Sequence, residues 1–432
     1  MTAIDWSTAE LPSVVERLAN GLTVIVHAEP KSPIAAVYVG YRAGSRDEPA
    51  SKAGLAHLCE HLMFSGTQRN PGSYFAPFEQ AGASSMNAFV REDYSAYFAT
   101  VPAATLDFAM MMEADRMANI AEALDDDRIE RQRDVVVNEL RQREGQPYGC
   151  SARILAELAH PSGHPYAHPP NGLVADLGNI SADDVRVWFE SRHTPAMATL
   201  IVAGDVEPER VIAQAERHFG SLAHNLAAPR VVFAAATGLP LASRRQIELP
   251  VQHDRLCIAW NGPGCASVEY PALEAACEIL AGAKSSRLCH RIVQAERLAS
   301  DVTVELRPRE LGVLIVLSVI ARVGVPLTAI EGLVRSEIDR LFRQGPEPHE
   351  LEIARLRLFG RVVRGFERVG GPNSKSDTLG MAAILCGSPD AHRSRLSTMS
   401  AMKPDAVAAA SQWLTGASAV LEMHPLTEGN GG

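Results

Sequence analysis

Residues 53–64 read Ala53-Gly54-Leu55-Ala56-His57-Leu58-Cys59-Glu60-His61-Leu62-Met63-Phe64. The run suits a buried helix with Gly54 near its start. Successive residues of a helix turn by ~100°, so His57 and His61 lie one turn apart on one face. Their imidazoles can converge on a single cation, because imidazole nitrogen is a favoured metal ligand. Glu60 sits just before the second histidine on nearly the same face. It can reach a water on the cation without binding the cation itself. Cys59 points away from that face and reads as a small core residue.

The order H-x-x-E-H reverses the H-E-x-x-H of the zincins and is the inverzincin signature. Five residues alone leave a plainer alternative open, a helix with two ordinary histidines and a solvated glutamate. A catalytic zinc needs three protein ligands and an open position. A third ligand therefore belongs on another element packed against this helix. The segment 126–141 is strongly helical, with apolar residues at Ile129, Val136, Val137 and Leu140. Glu139 lies between Val136 and Leu140 at helical spacing and can face inward, where a lone carboxylate is costly unless it meets a cation. Taken by itself it reads equally as a surface glutamate among many charges.

Between these segments, Ser84-Ser85-Met86-Asn87-Ala88-Phe89-Val90, a polar Arg91-Glu92-Asp93, and the run 94–101 read as a hairpin. On its own terms its first strand is an ordinary edge strand. His160, His164 and His168 also recur every fourth residue, but Pro161, Pro165 and Pro169 break the helix that would align them. The stretch 163–172 reads as a structured loop.

Gly44-Ser45-Arg46-Asp47-Glu48-Pro49 followed by Gly54 to Thr67 strongly resembles the pitrilysin family of zinc metallopeptidases, which includes insulin-degrading enzyme and the mitochondrial processing peptidase. The likeness continues in Arg133 to Glu139, His164-Pro165-Tyr166 and Ala198 to Val206, and loosens in the second half. The resemblance implies that His57, His61 and Glu139 bind Zn²⁺. It also implies that the strand carrying Asn87 and Ala88 lies beside the metal and pairs with extended substrate. One departure is Gln132, where many relatives carry a second glutamate.

A weak internal repeat organises the chain. Strands at 22–27 and 35–40 precede the motif helix. Strands at 246–249 and 255–260 precede a helix at 271–282 that has no histidine. The expected division is a metal-bearing domain at 1–225, a linker at 226–243 and a metal-free copy at 244–432. The resemblance implies an α+β fold of two homologous α/β sandwich (roll-like) domains facing each other around a chamber. Active relatives also use an Arg and a Tyr from the second half to hold substrate. Here Ser285-Ser286-Arg287-Leu288 keeps the start of that region, but Ser300 stands where relatives place the tyrosine. The chain is also half the length of single-chain relatives, so the resemblance implies a homologous second subunit in a heterodimer, or otherwise a homodimer.

The global numbers agree with this reading. A chain of 432 residues with 46% hydrophobic and 21% charged residues is expected to be globular, with two domains or more. The formal net charge of −10 argues against nucleic acid as a partner. No apolar stretch approaches the ~20 residues of a membrane span, and the first sixteen residues lack a signal-peptide pattern. An odd count of seven cysteines without a CxxC pair suits free thiols. Those features point to the cytoplasm, or to the periplasm if a leader has been removed. The expected activity is zinc-dependent endopeptidase hydrolysis of peptides, with Glu60 as the general base. The alternatives are a non-catalytic subunit of a larger complex and a zinc hydrolase of small amides.

Overall fold

In a computed structural model of the chain, residues 6–223, 230, 233, 235, 238, 239 and 242–426 are described. The apolar runs near residues 22–26 and 35–39 show little polar alternation, the mark of strands covered on both faces. They form β2 and β3 of a six-stranded sheet: β1 (Val14–Arg17), β2 (Thr23–Ala28), β3 (Ile34–Tyr41), β4 (Ser84–Val90), β5 (Ser95–Pro102) and β6 (Ala198–Gly204). The strand order is β1-β2-β6-β3-β5-β4, with β6 parallel to β2 and antiparallel to β3. The expected hairpin is β4 and β5, and β4 forms one edge of the sheet.

The helices of this half are α1 (Leu55–Leu62), α2 (Phe75–Gln80), α3 (Leu106–Asn119), α4 (Asp126–Glu144) and α5 (Ser151–Ala159), followed by Val174–Leu177, Ala182–Arg192 and Pro208–Phe219. Leu55, Leu58 and Leu62 of α1 join Val37 and Val39 of β3 and Leu200 and Val202 of β6 in one core. Cys59 is buried in the same core. Eight residues are too few for a helix to persist alone in water. Each buried leucine contributes ~1.5–3 kcal/mol, so packing holds α1 in place.

The second sheet is built from β7 (Ser243–Leu249), β8 (Arg255–Asn261), β9 (Ala299–Arg307), β10 (Leu314–Ala321) and β11 (Ala419–Pro425), ordered β7-β11-β8-β10-β9. Strand for strand this repeats β2-β6-β3-β5-β4. Again the last strand to enter, β11, lies parallel to the first and antiparallel to the second. The helix Tyr270–Ala281 follows β8 as α1 follows β3, and it carries no histidine. The α+β architecture of two like halves is therefore present in full. β7 begins at Ser243, the last residue of the expected linker, and most of 226–243 lies outside the described residues.

Each half covers the outer face of the other's sheet. Ile154, Leu155 and Ala159 of α5 pack on Cys257 and Ala259 of β8 and on Leu421 of β11. Reciprocally, Leu379, Ile384 and Leu385 of the helix Lys375–Cys386 pack on Tyr38, Phe98 and Ile201 of the first sheet. Close approach depends on Gly380, where an added Cβ would stand 2.6 Å from the Tyr38 ring. Among the described residues, no helix is long and apolar enough to cross a membrane.

Candidate metal centre

The motif helix is anchored from both sides of its first turn. Gly54, its N-cap residue, has φ +106°, and the loop residue Gly172 lies so close that a Cβ there would meet Gly54 Cα at 2.3 Å. Glu48 is buried, and its carboxylate accepts hydrogen bonds from the backbone N–H groups of Gly54 and Ala56 at 3.1 and 2.8 Å. Those amides have no partner inside the helix, and a carboxylate at a helix N-terminus also meets a favourable dipole. Glu48 stands in the stretch 44–49 that carries the family likeness, but its sequence position alone, an acid shortly ahead of a helix start, does not assign it this cap.

In α4, Ile129, Val136 and Leu140 are buried and Val137 is partly so, which leaves Glu139 at the border of the buried stripe and facing α1. Asp125 caps the helix by accepting a bond from Arg128 N–H at 2.7 Å. The two helices pack together. His57 Nε2 then lies 3.7 Å and His61 Nε2 3.4 Å from Glu139 Oε2. Arg143, one turn further along α4, donates to Glu139 Oε1 at 3.1 Å, so Oε2 is the oxygen left for the imidazoles. Among the described residues, His57, His61 and Glu139 form the one group of three or more such side chains able to hold a metal ion, with ligand atoms within 4.8 Å of one another.

The donor set suits zinc chemically. Two imidazoles and one carboxylate with a free position are ligands that Zn²⁺ takes readily. Without a cation the cluster is electrostatically uncomfortable. Burial pushes His57 down to about 4, and the neighbouring His61 adds to that shift. The backbone of Asn171 interacts with the His57 ring. Glu60 Oε2 lies 3.9 Å from His57 Nε2. Burial and then the charge of Glu139 push Glu60 up to about 7, the range of a group that exchanges protons at neutral pH.

Beside α1 runs β4, whose outer edge has no partner strand among the described residues. Asn87 is exposed and Ala88 half-buried. The register with β5 shifts between Ser84 and Asn87, and Ser85 has φ 52°, an irregularity of the kind that gathers near functional sites. The hairpin turn is clamped by the second half. Glu92 pairs with Arg309, and Asp93 accepts from Arg46, Tyr166 and the Glu310 N–H. The three loop histidines do not converge on a metal. His160 is buried with Nδ1 bonded to the Ala156 carbonyl and its ring stacked on His164.

In the second half, Arg287 is nearly buried and makes a two-pronged contact with Glu350 while also donating to the Gly345 carbonyl. Ser300 donates to the Ile320 carbonyl at 3.3 Å.

Comparison with known proteins sets this arrangement in a family. Residues 23–160 match the family described as Insulinase (Peptidase family M16), and residues 179–358 match the family described as Peptidase M16 inactive domain. The chain is 30% identical over 289 residues to a protein named as an uncharacterized zinc protease of Mycobacterium leprae, covering 66% of this chain and 64% of that one, just under two thirds of its length. It is 28% identical over 382 residues to an uncharacterized zinc protease of Mycobacterium tuberculosis, covering 87% of this chain and 84% of the relative. The crystal structure of a protease from Helicobacter pylori shares the fold with a TM-score of 0.87 at 22% identity, over 96% of this chain and 100% of that one. With the two halves matched in order by two descriptions of one family, this protein belongs to peptidase family M16, the pitrilysin or insulinase family.

Proposed function

We propose that the chain is a zinc-dependent metalloendopeptidase that hydrolyses peptides held in extended conformation. The observation that carries this reading is the meeting of His57, His61 and Glu139, from two helices, beside an exposed sheet edge. In this reading His57, His61 and Glu139 hold the metal, and Arg143 orients Glu139 through its other oxygen. Bound there, Zn²⁺ supplies a Lewis acid that polarises a carbonyl and lowers the pKa of water toward ~7. Glu60 takes a proton from the attacking water on its carboxylate and delivers it to the nitrogen of the leaving amine. The free edge around Asn87 and Ala88 binds the substrate main chain by strand addition, which makes little demand on sequence.

The same proposal keeps the division into 1–225, 226–243 and 244–432, and it assigns the chain to a two-chain enzyme as its metal-bearing subunit. Support comes from the second half, where Arg287 is committed to Glu350 and Ser300 cannot reach or stack as a phenol does. A homologous partner then supplies the missing contacts to substrate. Seven free cysteines fit a reducing compartment, which within this proposal is the cytoplasm.

An unstructured peptide, digested with and without chelator and read by mass spectrometry, is the test. Internal cleavage that chelator stops and zinc restores is the expected outcome. Cleavage by no assembly containing the chain would favour a non-catalytic subunit instead. Full activity of the chain alone at saturating zinc would remove the need for a second polypeptide.

A further inference from the structure

We propose that this protein selects peptides carrying a carboxylate side chain, and that Arg91 is the residue that reads it. The inference rests on the proposed use of β4 as the substrate edge. A cavity of about 480 Å³ lies between the halves, bounded by Phe89 and Val90 at the end of β4, by Leu140 and Arg143 of α4, and by residues 305–309 of the second half. It adjoins the metal centre, because Arg143 is the residue that holds Glu139.

Five arginines and four carboxylates line this cavity. Four of the arginines are already paired: Arg309 with Glu92, Arg307 with Glu305, Arg153 with Glu144, and Arg143 with Glu139. Asp377, the remaining acid, accepts from the Asn373 N–H within its own turn. Among the described residues Arg91 makes no direct ion pair, although its charge reaches Asp377 and Glu305 and favours their ionised forms. Its guanidinium lies over the Phe89 ring, 5.2 Å from the centroid, which orients it without neutralising it. The acid without an arginine contact, Asp377, has its unbonded oxygen buried, so a cationic substrate side chain meets Arg91 before any accessible acid. An anionic one finds a free, bidentate guanidinium.

Position supports the same occupant. Side chains alternate along β4, so Asn87 and Phe89 share a face, opposite the one that carries Ala88 and Val90, and the contact with Phe89 puts the Arg91 guanidinium on that same side. Phe89 packs toward Leu385 and the helix Lys375–Cys386 of the second half, whereas Ala88 and Val90 pack on the core of the first. A peptide added at the edge of β4 also alternates, and its side chains on the second-half face run past Phe89 to Arg91. The backbone beneath Arg91 is fixed, with its N–H on the Tyr94 carbonyl at 2.8 Å and its carbonyl on Ser45 N–H at 3.1 Å. Glu92 and Asp93 lock the next two residues to the second half.

The test uses the zinc-loaded protein, with any partner subunit that co-purifies. Otherwise identical unstructured peptides carry Glu, Gln or Lys at successive positions around one cleavable bond. Binding is followed by fluorescence anisotropy and cleavage by mass spectrometry. We expect the Glu peptide to bind about tenfold tighter than the Lys peptide at one or two positions, with the preference collapsing at ~1 M salt. Arg91→Gln should abolish the preference and Arg91→Glu should reverse it, with Arg91→Gln melting close to the unaltered protein because Arg91 makes no direct ion pair to lose. Charge-selective binding without cleavage would sink the peptidase reading and keep this one. Cleavage with equal use of the Glu and Lys peptides, or an Arg91→Glu protein with unaltered preference, would overturn this inference alone. Binding of no peptide by any assembly would overturn both.

Discussion

The same helix crossing occurs twice in this molecule and carries opposite chemistry. In the first half α1 packs on α4, and in the second the helix Tyr270–Ala281 packs on the helix Pro348–Gly365. Both crossings place charge at the border of an apolar core. In the second half that charge is closed on itself, because the buried carboxylate of Glu278 is held by Arg357 and Arg361, one turn apart on the partner helix. In the first half the pattern is inverted. Two imidazoles on the short helix face one carboxylate on the long one, and that carboxylate already has an arginine. Opposite charges that neutralise each other make a structural contact. Two imidazoles and a carboxylate turned toward one point make a donor set that suits a cation from outside. The repeat thus separates what the architecture demands, a polar helix crossing, from what the residues decide, its chemistry.

The comparison breaks most sharply at Glu60, for which the second half has no counterpart in a metal cluster. Glu60→Gln keeps the shape of the side chain and leaves the three proposed ligands untouched. Zinc content should stay near that of the unaltered protein, while hydrolysis falls by ~10²–10⁴-fold, the usual contribution of a general base. Metal analysis alongside a peptide assay decides it, and near-normal turnover would remove Glu60 from the proton path.

Next in size are the proposed ligands. His57→Ala, His61→Ala or Glu139→Ala leaves two donors, too few to hold zinc against dilute chelator as three do. Each variant should lose most of its zinc on dialysis and its activity with it. A Glu139→Ala protein that kept full zinc would show that the third ligand lies elsewhere.

Much of this was legible from sequence, and the limits have physical causes. The histidine spacing in α1 and the apolar stripe of α4 are local patterns, and local periodicity is what a sequence displays. The strands at β2, β3, β7 and β8 and the hairpin of β4 and β5 lie within a few residues of their expected bounds for the same reason. The metal-free copy was visible as a helix without histidine after two strands. What could not be seen was pairing across distance. Glu48 capping α1, Gly172 pressed on Gly54, and the exchange of α5 for the helix Lys375–Cys386 each join segments whose own periodicity says nothing of the partner. The contact of Arg143 with Glu139 was readable as an i, i+4 pair on one helix and was missed.

A smaller effect sharpens the electrostatic side of the contrast. In metal-stripped protein His57 is shifted down to about 4 by burial, and Glu60 up to about 7 by burial. Between pH 4.5 and 6.5 the unfolded chain binds a proton at histidine that the native state rejects, so this group makes stability rise with pH. Over the same window the native state keeps a proton on Glu60 that the unfolded chain releases, so this group makes stability fall with pH. The two slopes, each at most ~1.4 kcal/mol per pH unit, oppose one another. Chelated protein should therefore show little net slope from these two groups, and chelated Glu60→Gln should gain stability as pH rises from 4.5 to 6.5. Identical thermal-melting profiles for the two proteins would show that these shifts do not act on folding.

The smallest effect tests the second crossing directly. Glu278→Gln removes the charge that Arg357 and Arg361 share, but those guanidiniums are 45% and 60% exposed and can turn to water. Gln still accepts a hydrogen bond, so the loss should be about 1 kcal/mol, well below the cost of stranding a buried charge. Zinc content and peptide cleavage should not change, because nothing in this crossing reaches the metal centre. Chemical denaturation with parallel metal analysis reads both quantities from one preparation. A Glu278→Gln protein that lost zinc as Glu139→Ala should would mean that the second crossing is not a closed salt bridge but a part of the same site. The contrast between the halves would then have to be given up.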